Sequence, residues 1–115
     1  MAWYQDVIDR YDRQKAGTSD PYKMELHAIR LGDVAIATNP FELFTQYGIQ
    51  IKARSRPLQT FILQLTGPGT YLPTGVAIRG GGYSAIVASS VVGPEGGQVL
   101  VDRTVGLINS LWPEK

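Results

Sequence analysis

The chain has 115 residues, a net charge of +1, 43% hydrophobic and 18% charged residues, and no cysteine. That length supports one domain with one core, read here as residues 1–115. The charge argues against nucleic acid or an anionic membrane as main partner, and the missing cysteines exclude disulfides, thiolate metal sites and a cysteine nucleophile.

Residues 2–16 predict a helix. Trp3, Val7 and Tyr11 recur at helical spacing beside Tyr4 and Ile8, and Asp6, Asp9, Arg10, Arg13 and Lys15 fill a solvated face. The first residues lack the apolar segment of a signal peptide, and no apolar run reaches membrane-spanning length, so no transmembrane segment is expected. The compartment stays unknown. Gly17-Thr18-Ser19-Asp20-Pro21 breaks the helix.

Residues 22–30 alternate as a strand, with His27 in mid-strand and read as a partly buried, hydrogen-bonded side chain. Residues 34–38 return as a second strand, giving a hairpin around Leu31-Gly32-Asp33. Asn39-Pro40-Phe41-Glu42 then carries helix-start signals: an N-cap asparagine, proline at the first helical position and a glutamate three residues past the cap. A helix is predicted from Pro40 to about Arg54, its basic end (Lys52, Arg54, Arg56) suiting the helix dipole.

Residues 58–65 are apolar on both faces and predict a central, doubly covered strand, parallel to residues 34–38. A short helix through Ile78, a flexible Gly80-Gly81-Gly82 joint and a segment over 83–92, strand or irregular, come next. The last element is a long helix from Pro94, with Val101, Val105, Ile108 and Trp112 on its apolar stripe. The expected class is α/β, with α+β as its variant: a small mixed sheet with a β-hairpin and about three helices packed on it.

Local chemistry is sparse. Neither glycine-rich stretch has the P-loop Lys-Ser/Thr pair or dinucleotide spacing. There is no Gly-x-Ser-x-Gly elbow. One histidine rules out a two-histidine site built by this chain alone. Taken locally, Glu42 is a capping-box carboxylate, and Tyr71 and Tyr83 are amphipathic aromatics on loops.

Four stretches, taken in order, resemble a known family. They are residues 26–36 (Leu26-His27-Ala28-Ile29-Arg30-Leu31-Gly32-Asp33), residues 39–48 (Asn39-Pro40-Phe41-Glu42-Leu43-Phe44), Gly69-Thr70-Tyr71-Leu72-Pro73-Thr74, and Gly82-Tyr83-Ser84-Ala85 leading to Gly93-Pro94-Glu95. Together they are similar to the carboxyl-terminal part of the catalytic domain of the neutral/alkaline, non-lysosomal ceramidases. The resemblance covers roughly residues 24–112. Pro40-Phe41 stands where the family has Pro-Gly.

The resemblance implies a zinc amidase that cleaves an N-acyl amide, with zinc held by two histidines, a glutamate and a tyrosine. Glu42 and Tyr71 map onto the last two; the histidines belong to an amino-terminal part absent from this sequence. It therefore implies half of a metal site, not catalytic alone, at one edge of the sheet. It also implies a homo-oligomer or a complementary amino-terminal chain to cover what that part would cover. The alternative is a non-catalytic module that assembles with itself or a partner.

Overall fold

The computed structural model describes residues 2–113. Helix α1 (Ala2–Lys15) opens the chain, as its periodicity predicts; the Trp3 side chain, placed on its stripe from sequence, lies outside the described residues. Strands β1 (Ala28–Leu31) and β2 (Val34–Thr38) form the expected antiparallel hairpin. Gly32 turns it at φ 62°, a conformation that suits glycine. Two-residue strand β3 (Glu42–Leu43), helix α2 (Thr45–Arg54), β4 (Gln59–Leu63) and two-residue β5 (Tyr71–Leu72) follow. Helix α3 (Gly75–Gly80), 3-10 turns at Tyr83–Ala85 and Val87–Ser89, and helix α4 (Pro94–Asn109) complete the order.

The fold is a mixed α/β arrangement. A three-stranded sheet runs in the order β1-β2-β4, with β2 and β4 parallel, and a separate two-stranded parallel sheet pairs β3 with β5. Helix α2 lies in the connection between β2 and β4, the crossover that parallel neighbours require. Helices α2 and α4 pack on each other and on one face of the larger sheet. The core there is Ala35 and Ala37 from β2, Tyr47 and Ile51 from α2, and Leu100, Val101, Val105 and Ile108 from α4. Each of the larger aliphatic side chains, fully buried, contributes about 1.5–3 kcal/mol.

Two tethers set the rear of this body. Arg54 pairs with Asp102 at 2.7 Å, joining α2 to α4. Arg30 and Arg56 donate to the carbonyls of Leu111 and Trp112, and the Arg30 guanidinium stacks 4.4 Å from the Trp112 ring. These cations sit at the carboxyl end of α4, where the helix dipole favours them.

Four sequence expectations are corrected. First, α2 begins at Thr45, not Pro40. The Asn39 Oδ1 accepts from the Phe41 N–H at 3.0 Å in a local turn instead of capping a helix. Fully buried Phe41 pins that segment, and Glu42 enters a strand, so it is not a capping-box residue. Second, the strand predicted over 22–30 is laddered only at Ala28–Leu31; Tyr22 instead sets its ring 5.6 Å from Phe41. Third, β4 is an edge strand, not a central one, with Phe61 and Leu63 half exposed. Fourth, His27 is exposed, because strand alternation puts it on the same side as Ile29 and Leu31, away from the helices.

Candidate functional site

The two sequence-predicted site residues, 29 positions apart, are direct neighbours. In the β3–β5 pair the register places Glu42 opposite Tyr71 and Leu43 opposite Leu72. The Glu42 N–H donates to the Thr70 carbonyl at 3.0 Å, and the Phe44 N–H reaches the Leu72 carbonyl at 3.4 Å. Both strands are only two residues long, so neighbouring packing must hold them.

That packing is identifiable. Phe41 before β3 and Leu72 and Pro73 in and after β5 are almost fully buried, anchoring both strands on the core side. Gly69 lets the chain approach: a Cβ there would stand 2.3 Å from the Pro40 carbonyl oxygen, inside any van der Waals contact. Tyr47 of α2 donates to the Pro73 carbonyl at 2.9 Å and fixes the chain leaving β5. The Leu43 N–H donates to Gln64 Oε1 at 2.8 Å, tying β3 to the residue that follows β4.

The Tyr71 phenol donates to the Glu42 carboxylate. This bond, then the negative charge of Glu42, some burial and the neighbouring Tyr83 push the Tyr71 pKa above its ordinary value of 10.0. Tyr83 meets the Tyr71 ring edge-on, with centroids 5.8 Å apart. Glu42, Tyr71, Gln64, Thr45, Leu43 and Phe44 line an open depression of about 350 Å³. A second hollow of about 240 Å³ shares Leu43, Phe44, Thr45 and Gln64 and continues past Gly48 and Ile49 to Lys52.

His27 is not part of this constellation. It lines a separate cleft of about 520 Å³ with Lys23, Glu25, Thr38 and Thr66, and its Nε2 lies 3.8 Å from the Glu25 carboxylate. Sequence reasoning missed Gln64 and left Tyr83 without a role. Gln64 is the only polar residue in Leu63-Gln64-Leu65, a signal that an apolar-run reading discards.

Chemically, the pair offers two oxygen donors sharing one proton. Zinc sites ordinarily have four ligands, mostly nitrogen or sulfur. Among the described residues no group of three or more histidine, cysteine, aspartate or glutamate side chains is gathered in one place. These residues alone therefore do not fit a complete zinc site. A cation at Glu42 and Tyr71 would have to displace the shared proton, against the direction in which Glu42 shifts the phenol.

Comparisons with models of known families, with curated proteins and with solved structures find no match to this chain.

Proposed function

We propose that this chain supplies the Glu42–Tyr71 half of a composite, ceramidase-like zinc amidase site and is not catalytic alone. The observation that carries this reading is the in-register pairing of the two residues, with their side chains hydrogen-bonded beside an open depression. In this reading the nitrogen ligands come from other polypeptide. Bound zinc in such a site polarises an amide carbonyl or activates water. The residues of this chain hold the carboxylate and phenol side by side, and Gln64 and Thr45 border the same hollow as polar groups able to orient an amide.

The test is zinc titration followed by tyrosine absorbance, then dialysis and elemental analysis. Weak, saturable binding that perturbs Tyr71, disappears in Glu42→Ala and does not survive dialysis is expected, with no hydrolysis of N-acyl sphingosine. No response at Tyr71 at any zinc concentration would remove the half-site. Stoichiometric zinc surviving dialysis would show that the chain, alone or as an oligomer, already completes it.

A second reading, a self-assembling or partner-binding module, is favoured by a different observation. The face of the larger sheet opposite α2 and α4 exposes Ile29, Leu31, Phe61 and Leu63. Monomers seldom leave large apolar surfaces of this kind uncovered.

A further inference from the structure

The open sheet face can be read residue by residue from the register. Ile29 stands opposite Ile36, which stands opposite Phe61; Leu31 pairs with Val34, and Thr38 with Leu63. Ala35 and Ala37, the alternate residues of β2, are buried against the helices. Strand alternation therefore puts Ile29, Leu31, Val34, Ile36, Phe61 and Leu63 together on the other face. Ile29, Leu31, Phe61 and Leu63 are 49%, 60%, 49% and 48% exposed. Glu25 and His27 lie beyond one end of this face and Asp33 at the other, giving an apolar centre with polar ends.

A second apolar surface lies on α1. The helix packs on the 3-10 turn Val87–Ser89. Arg10 anchors it there by donating to the carbonyls of Ser90 and Val87, each at 3.0 Å. Tyr4, Ile8 and Tyr11, at i, i+4 and i+7, form a separate stripe and are 57%, 52% and 61% exposed. The molecule is elongated, 50 × 30 × 20 Å with a radius of gyration of 15.8 Å, against about 13 Å for a globule of this length.

Area decides the occupant. The sheet face exposes on the order of 400 Å² of apolar surface, about half of the roughly 800 Å² per partner of a standard stable interface. The α1 stripe adds on the order of 300 Å², so a contact in which each copy contributes both surfaces approaches that size, whereas sheet packed on sheet does not. A 14-residue helix, about 21 Å long, also matches the roughly 17 Å length of five-residue strands.

We infer that a second copy of this chain covers the open sheet face, the Tyr4–Ile8–Tyr11 stripe of each copy lying across Ile29, Ile36 and Phe61 of the other. This is a two-fold arrangement, since each copy gives and receives the same surfaces. It rests on the self-assembly reading above and involves neither Glu42 nor Tyr71, so its failure and that of the half-site are separable.

The cysteine-free sequence permits a direct test. Equal amounts of an Ile8→Cys chain and a Phe61→Cys chain are mixed and mildly oxidised, with Ser110→Cys as an exposed control. The mixed Ile8–Phe61 disulfide should exceed either self-disulfide and the control at least tenfold. A dominant Phe61–Phe61 disulfide would mean that sheet packs on sheet and would overturn the role of α1. No enrichment over Ser110→Cys would overturn the interface. In parallel, Ile8→Asp, on an exposed helical position, should halve the mass seen by light scattering while leaving the circular dichroism unchanged; an unchanged mass overturns the inference.

Discussion

The two faces of the three-stranded sheet are built from different residues, and the difference marks which side this chain finishes. On β2 the sequence Val34-Ala35-Ile36-Ala37-Thr38 alternates large and small. The alanines face α2 and α4, where a short side chain lets helices carrying Ile51, Leu100, Val101, Val105 and Ile108 fill the space. The opposite face carries Ile29, Ile36 and Phe61 in one row, and among the described residues no helix packs on it as α2 and α4 pack on the first. Small residues under helices and large ones in the open are what a sheet with its second layer still to come should show.

The sharpest way to break this comparison is to truncate one residue on each face. Leu100→Ala removes a side chain that is 1% exposed from the finished face and should cost about 2–5 kcal/mol in urea unfolding. Phe61→Ala, measured in dilute solution where association is suppressed, should cost about 1 kcal/mol or less, since half of its surface is already in water. Equal losses would mean that the two faces are packed alike.

A smaller effect separates the finished face from the site that hangs on it. At Gly97 a Cβ would stand 2.3 Å from the Tyr47 Cζ and Oη. Gly97→Ala should therefore drive Tyr47 off the Pro73 carbonyl, destabilise the fold by about 1–3 kcal/mol and loosen β5. Hydrogen exchange at the Phe44 amide, which bonds to Leu72, should rise. Unchanged protection there would show that β3 and β5 do not depend on α4.

The smallest effect is at the Glu42–Tyr71 pair. Spectroscopic titration should find Tyr71 ionising above 10.0, because it donates to Glu42 and sits in that carboxylate's field. Glu42→Gln should bring it back toward the ordinary value. The sign follows from linkage: a raised folded-state pKa stabilises below the unfolded value, near pH 10, and the contribution is lost as pH rises through the folded value. An unshifted Tyr71 would mean that the two strands are paired but their side chains are not.

The mixed class, the hairpin, the parallel relation of residues 34–38 to 58–65 and the last helix were legible from periodicity and punctuation. Pro94 at the first turn and the stripe through Val101, Val105 and Ile108 mark α4 plainly. The start of α2 was not legible, because Asn39-Pro40-Phe41-Glu42 carries every local helix signal. Burial of Phe41 and the bond from Glu42 to Thr70 are long-range and override them. The edge position of β4 was hidden for a related reason. An apolar run such as Phe61-Ile62-Leu63 reads the same whether its cover comes from this chain or from another one. At the site, the resemblance supplied Glu42 and Tyr71; their register depends on Gly69 passing Pro40, which residue spacing does not encode.

The open face is the central claim, and sedimentation equilibrium of the unmodified chain over a concentration series tests it most directly. The account predicts a reversible shift from the 12.6 kDa chain mass toward twice that value as concentration rises through the micromolar range. A single monomer mass at every concentration would contradict it, because the exposed Ile29, Leu31, Phe61 and Leu63 surface would then be stable in water without a partner copy.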